Sequence, residues 1–207
     1  MVSPYHRSDS PLGRMISLIE TPGSPLRFLI LDCPTESTLP YYLDEFKRYN
    51  VTTVVRCCQQ TYNANRLNDQ GIQVLDMPFK DGGAPPPTVV RDWLALIDRE
   101  SARATSHPED TPPTVAVHCV AGLGRAPVLV AIALIEFGME PLDAVEYVRR
   151  KRRGAFNKPQ ISYLDTYKRS LKPKATSGTS SLKFSLGKMF RFGGSGNKKQ
   201  QETVATH

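Results

Sequence analysis

The chain has 207 residues, 40% of them hydrophobic, which suits one domain of ordinary size with spare ends. Its formal charge of +7 is unevenly placed: Lys172, Lys174, Lys183, Lys188, Arg191, Lys198 and Lys199 face one acid, Glu202, in the last stretch, and the first 171 residues are almost neutral. A near-neutral body without any RRM, KH, zinc-finger or helix-turn-helix pattern argues against nucleic acid as a partner, and the lack of an apolar signal or membrane-length run argues against secretion or a spanning helix.

In chain order, residues 1–25 are rich in Ser, Pro and Gly and are expected to form a disordered arm. Leu26 to Leu31 reads as a strand. Leu39, Leu43 and Phe46 then fall at helical spacing, with Thr38 as N-cap and Pro40 just inside. Val51 to Val55 and Ile72 to Leu75 are further strands, and Thr88 opens a helix on which Val89, Trp93 and Leu96 share a face. The stretch 101–113 is polar without a period and is expected to be a surface loop. Thr114 to Val117 is a short β-branched strand, and Ala126 to Ile135 is a helix apolar on every side. Gly138 stops it, Pro141 opens another helix ending near Arg153, and Ile161, Leu164, Tyr167 and Leu171 mark a last one. Short apolar strands alternating with helices imply an α/β fold: a single central, mostly parallel sheet of four to five strands with helices on both faces. The domain is expected over 26–171, followed by a basic, disordered tail over 172–207.

Between the strand at 114–117 and the apolar helix stands His118-Cys119-Val120-Ala121-Gly122-Leu123-Gly124-Arg125. A cysteine and an arginine five residues apart, with two glycines between them, can wrap one phosphate dianion. Gly122 and Gly124 permit the φ values that a nest of converging N–H groups demands. The helix that follows adds its own free N–H groups and the positive end of its dipole. Such a field favours a thiolate, which is a nucleophile toward phosphorus. Arg125 can clamp two phosphoryl oxygens. Cys119 is therefore the candidate nucleophile, Arg125 the phosphate clamp, and Val120, Ala121, Gly122, Leu123 and Gly124 the substrate-binding loop. His118 is expected to orient that loop. A proton donor is needed on a loop upstream, and Met77-Pro78-Phe79-Lys80-Asp81-Gly82-Gly83 offers one. Its candidates are Asp81 and Asp76, the latter at a strand end.

His-Cys-x5-Arg resembles the signature of cysteine-dependent protein tyrosine phosphatases, and the longer string from Cys119 to Val130 is similar to the phosphatases of regenerating liver, a prenylated subgroup. Lys151-Arg152-Arg153-Gly154-Ala155-Phe156-Asn157 and Ala84-Pro85-Pro86-Pro87 match the same subgroup, and the resemblance covers about residues 26–171. The core motif alone is also compatible with arsenate reductases and rhodanese-like folds; the extended strings discriminate. The resemblance implies a dual-specificity-phosphatase-like fold and hydrolysis of protein phosphotyrosine, or dual-specificity hydrolysis, through phosphocysteine without metal or cofactor. It places the general acid at Asp81. It also implies a reversible disulfide between Cys119 and Cys58, with Cys57 the competing partner; Cys33 is expected to be structural. Four cysteines without CxxC spacing suggest neither zinc nor a disulfide scaffold.

Departures from the subgroup are as informative. Met77 stands where Trp is usual, Lys80 where a second acid is usual, and Gly82-Gly83 carries an extra glycine. Ala126, by contrast, is by resemblance a trait of the subgroup: most other relatives in the wider family have Ser or Thr there, whose hydroxyl assists the leaving thiolate, so turnover is expected to be slow. The resemblance therefore carries an alternative, a binding module that regulates cyclin-M-type magnesium transporters through the same pocket. Substrates are expected to be phosphorylated proteins or phosphoinositides, and the resemblance admits a homo-oligomer. The chain ends in Val204-Ala205-Thr206-His207 without a prenylation cysteine. Leu182, Leu186, Met189 and Phe190 with interspersed cations offer a substitute, a segment at 182–192 for anionic membrane surface, so the expected location is the cytoplasm and the inner face of the plasma membrane.

Overall fold

A computed structural model describes residues 12–13, 15–106 and 111–171. Eleven elements follow one another among these residues: β1 (Ile16–Glu20), β2 (Arg27–Leu31), α1 (Leu39–Arg48), β3 (Val51–Arg56), α2 (Asn65–Asn68), β4 (Gln73–Asp76), α3 (Pro87–Ser106), β5 (Thr114–His118), α4 (Arg125–Glu136), α5 (Pro141–Lys151) and α6 (Lys158–Asp165). The strands form one sheet in the order β1-β2-β5-β3-β4, parallel except for β1, which pairs antiparallel with β2. This is the expected α/β architecture, a mixed five-stranded sheet covered on both sides.

Side chains alternate across a strand, so each central strand feeds two cores. Phe28, Ile30, Val55, Val115 and Val117 face one core with Trp93 and Ile97 of α3, Ala126 and Val128 to Ile135 of α4, and Val148 and Leu164 of α5 and α6. Leu29, Leu31, Val54 and Ala116 face the other, against Leu39, Tyr42 and Phe46 of α1 and Leu67 of α2. Helix α4 is buried throughout, which explains why its sequence is apolar on every side.

Three expectations need correction. β1 lies inside the segment 1–25 expected to be a disordered arm: Ile16 packs into one core and Ile19 into the other, and Tyr147 Oη donates to the Glu20 carbonyl at 3.1 Å. The apolar Ile16-Ser17-Leu18-Ile19 run outweighs the Ser/Pro/Gly composition around it. Helix α3 continues to Ser106, into the stretch 101–113 expected as a loop, because Ser101 and Ala104 are buried on its inner face. The last helix ends at Asp165 rather than reaching Leu171. Buried Glu136 recruits the chain beyond it, accepting from Ser170 N–H, Leu171 N–H and Tyr167 Oη. A buried carboxylate must be hydrogen-bonded, and these donors satisfy it at the expense of helical continuity. The expected tail over 172–207, its 182–192 segment, and residues 1–11 of the expected arm lie outside the described residues. No helix among the described residues is long and apolar enough to cross a membrane.

The register brings the C-terminal ends of the four parallel strands level. Leu31 and Arg56 both pair with His118, and Asp76 pairs with Arg56, so one row crosses the sheet from β2 to β4. The segments that follow these residues all emerge along a single edge, where open α/β sheets carry their sites.

Candidate active site

Four consecutive carbonyls of the loop after β5 are bound from outside. Cys33 N–H donates to Val120 O at 3.0 Å, Phe156 N–H to Leu123 O at 2.8 Å, Arg152 Nη2 to Ala121 O at 3.0 Å and Arg152 Nε to Gly122 O at 3.1 Å. In a trans peptide the next N–H points opposite to the carbonyl. Tying Val120, Ala121, Gly122 and Leu123 outward therefore turns the N–H groups of Ala121, Gly122, Leu123 and Gly124 inward, into one bowl. Cys119 is buried at its start, and Val120 and Leu123 expose their side chains. Gly122 has a φ of +66°, and a Cβ there would lie 2.5 Å from Leu31 O. Gly124 does not take the expected role: its φ is −117°, and it is small because Gln160 packs against it.

Arg125 is buried in the first turn of α4. Its Nη1 donates to Cys57 O at 3.1 Å and to Phe79 O at 3.3 Å, and its Nε lies 3.1 Å from Asp81 Oδ1. The Nε–H is not aimed at that oxygen, so the contact is ionic rather than a directed hydrogen bond. The guanidinium thus spends two donor bonds on carbonyls and offers the rest of its fork to an oxyanion.

The acid-bearing loop is docked on both Arg125 and α6. Asn157, the N-cap of α6, donates from Nδ2 to Gly82 O at 2.9 Å, and Gln160 Nε2 donates to Gly83 O at 3.2 Å. Asn157 and Gln160 also hold each other in a reciprocal cap, so their orientation is pinned before they touch the loop. Met77 is buried against the main core. Asp81 is left with a strongly exposed carboxylate next to Arg125. Asp76, its competitor, is committed elsewhere: Arg56 donates to it from Nε at 2.6 Å and Nη2 at 2.8 Å, and Gln60 Nε2 donates at 3.0 Å.

The Arg56 bonds hold the Asp76 carboxyl below the usual carboxylate range. A depressed folded-state value means the pair adds stability above pH ~4, and loses it as the pH falls through that lowered value. Arg56 is almost fully buried while the Asp76 side chain is 39% exposed, so part of the cost of breaking a buried pair is screened away. Asp76→Asn is expected to cost about 2 kcal/mol at pH 7. Denaturant titrations should show that gap closing below pH ~4 as wild-type Asp76 protonates. A gap that is constant with pH would contradict the assignment.

His118 is fully buried. Its Nε2 is 2.9 Å from Tyr62 Oη, and its Nδ1 is 3.4 Å from Cys119 O and 4.0 Å from Cys58 Sγ. These contacts hold the strand end that carries Cys119. Cys57 points into the apolar core that also contains Cys119, and burial pushes its thiol up. Cys58 takes another direction, with its sulphur 3.7 Å from Cys33 Sγ. Their hydrogen bond pulls the Cys33 thiol down and pushes Cys58 up. Cys33, expected to be only structural, is half-buried and joins the cluster behind the nucleophile. Ala126 is fully buried in the first turn of α4.

Sequence reasoning missed Arg152, Asn157, Gln160 and Tyr62. Arg152 and Asn157 lie within the 151–157 segment similar to the subgroup, but its sequence assigns them no task. The capping signature Asn157-x-x-Gln160 was readable as a helix start; that it also carries the acid loop was not.

No protein-family model matches the chain. It is 52% identical over 159 residues to the Dictyostelium discoideum protein named "Probable protein tyrosine phosphatase type IVA A", covering 77% of this chain and 91% of that one. It is 49% identical over 150 residues to the human protein tyrosine phosphatase type IVA 3, covering 72% and 83%. Among solved structures, a protein tyrosine phosphatase from Leishmania major superposes with a TM-score of 0.68 at 45% identity, covering 74% of this chain and 99% of that one.

Proposed function

The chain belongs to the protein tyrosine phosphatase type IVA family, and from that premise we propose that it hydrolyses protein phosphomonoesters through a phosphocysteine on Cys119. The phosphoryl dianion sits in the bowl of inward N–H groups, with Arg125 across two of its oxygens. Cys119 Sγ attacks phosphorus as the ester P–O bond breaks, and Asp81 gives its proton to the departing oxygen. A water then attacks the phosphocysteine, passes a proton to the Asp81 carboxylate, and expels the thiolate as the S–P bond breaks. The observation that carries this reading is the set of outward-tied carbonyls at 120–123 behind a buried cysteine, with Arg125 in contact with a carboxylate. Preorganised donors of this kind stabilise charge as it develops, without reorganisation at the moment of reaction. A proton donor docked at the mouth favours turnover over a bare binding pocket.

The second step is the slow one in this proposal. Ala126, at the buried first turn of α4, brings no hydroxyl to the leaving thiolate. A hydrogen bond to a charged group is worth about 1.5–3 kcal/mol, or roughly 10–100-fold in rate. Release of dephosphorylated peptide from a phosphotyrosyl peptide is expected to show a burst, with inorganic phosphate following only at the slow steady rate, and Ala126→Ser to raise that steady rate by about tenfold or more. No release from either protein would overturn the reading.

Redox control belongs to the same proposal. Peroxide oxidises Cys119 to the sulfenic acid, and the Cys58 thiol displaces water from it to form the disulfide. Cys58 Sγ lies 4.0 Å from Nδ1 of His118, the residue before the nucleophile, and Cys57, which shares the core with Cys119, is the competing partner.

A further inference from the structure

We infer that Cys33, Cys58 and His118 form a metal site for a borderline-soft dication of the zinc class, separate from the phosphate bowl. Their donor atoms all lie within 4.8 Å of one another. Cys33 Sγ and Cys58 Sγ are 3.7 Å apart, and Cys58 Sγ is 4.0 Å from His118 Nδ1. With Zn–S near 2.3 Å and Zn–N near 2.05 Å, a tetrahedral centre sets those edges at about 3.8 Å and about 3.6 Å. The sulphur–sulphur edge already fits, the Cys58–His118 edge needs a closure of a few tenths of an ångström, and the Cys33–His118 edge, within 4.8 Å, closes by about 1 Å at most.

The surroundings are those of a ligating histidine. Coordination through Nδ1 requires the proton on Nε2, and Nε2 already has the Tyr62 hydroxyl 2.9 Å away to accept it. A ligating imidazole almost always donates its other N–H in this manner, which fixes the tautomer and the ring plane. Two thiolates and a neutral imidazole balance a dication, so a filled site buries no net charge. Cys58 and His118 are buried while Cys33 is partly exposed, which gives an entry route at one corner. Thr61 Oγ1, 3.1 Å from Cys33 Sγ, or a water supplies the fourth position.

The fold explains how ligands so distant in sequence converge. Cys33 and Cys58 each lie two residues past a parallel strand end, and His118 is the last residue of the strand between them. The level strand ends therefore deliver all three to one point. The site adjoins the nucleophile because His118 immediately precedes Cys119, and it does not use the Cys119 thiol; on metal binding Nδ1 gives up its long 3.4 Å contact with the Cys119 carbonyl.

The test titrates the full chain, reduced and stripped of metal by chelation, with Co²⁺ as a spectroscopic stand-in and then with Zn²⁺ in competition. One equivalent of Co²⁺ should bind with a thiolate-to-cobalt charge-transfer band and tetrahedral ligand-field bands, both erased by Zn²⁺. Cys33→Ala should weaken binding by at least about tenfold and shrink the charge-transfer band, since even the outer partners of a ligating histidine are worth about 10–100-fold. Tyr62→Phe, which keeps every ligand, should weaken binding about tenfold. Cys119→Ala should leave the band intact. A missing charge-transfer band, a band unchanged in Cys33→Ala, or a band lost in Cys119→Ala would each overturn the assignment. So would a Cys33–Cys58 disulfide that forms in place of cobalt binding under reducing conditions.

Discussion

Arg125→Lys is expected to lower kcat/KM by about 10³-fold or more, although the positive charge is kept. An ammonium cannot donate to the Cys57 and Phe79 carbonyls, face Asp81 and clamp a phosphoryl group at the same time. Loss of a single preorganised donor to a transition-state oxyanion costs about 10²–10³ in rate. Here the same change also releases the acid loop from its anchor at Phe79, so the two losses compound. Steady-state kinetics with Asp81→Asn as the comparison would separate them. Asp81→Asn should depress kcat about 10²-fold with little change in KM, because it removes both the proton donor of the first step and the base of the slow second one. Arg125→Lys should raise KM and lower kcat together. A loss of less than about tenfold for Arg125→Lys would contradict the role given to the guanidinium.

Gly122→Ala should be the most damaging change that alters no functional group. The new Cβ would stand 2.5 Å from Leu31 O and 2.6 Å from Arg152 Nη2, at a φ of +66° that side chains rarely adopt. Neither neighbour can retreat cheaply: one is backbone of a central strand, and the other is the guanidinium that ties the loop carbonyls outward. Left-handed strain and overpacking each cost about 1–3 kcal/mol, so a loss near 3 kcal/mol or more is expected in denaturant titrations. An ångström of displacement at the bowl costs about 10²-fold in activity on its own. Gly124→Ala provides the contrast. That residue has negative φ, and its added Cβ would meet only the end of the Gln160 side chain at 3.2 Å. It should lose about 1 kcal/mol or less. Equal damage from the two substitutions would show that the left-handed turn is not what the loop depends on.

The comparison of these glycines illustrates what a sequence exposes and what it conceals. The octet from His118 to Arg125 was legible because its chemistry is local: strand, tight turn and buried helix follow one another along the chain. The outward pull on its carbonyls was not, since the donors come from Cys33, Arg152 and Phe156, on three other segments. Asp76 and Asp81 could not be ranked by spacing alone. In the structure Asp76 is bound by Arg56, a residue whose place at the end of an apolar strand gave no hint of a bidentate partner. β1 was missed because a short edge strand in a Ser/Pro/Gly-rich context has little local signature, and its stability comes from pairing with β2. The thiol–imidazole cluster escaped the cysteine spacing rules for the same reason: those rules recognise ligands brought together by one turn, whereas these are assembled by strand register.

In the proposed reaction Cys119 forms a covalent phosphoryl intermediate which Ala126 allows to persist. Intact-mass spectrometry of the full chain, quenched within seconds of mixing with a phosphotyrosyl peptide, tests it directly. Wild type should carry a single phosphoryl adduct that maps to Cys119 and decays slowly with the release of phosphate, and Cys119→Ser should carry none. An unmodified wild-type chain with no phosphate released, or an adduct that survives in Cys119→Ser, would contradict it.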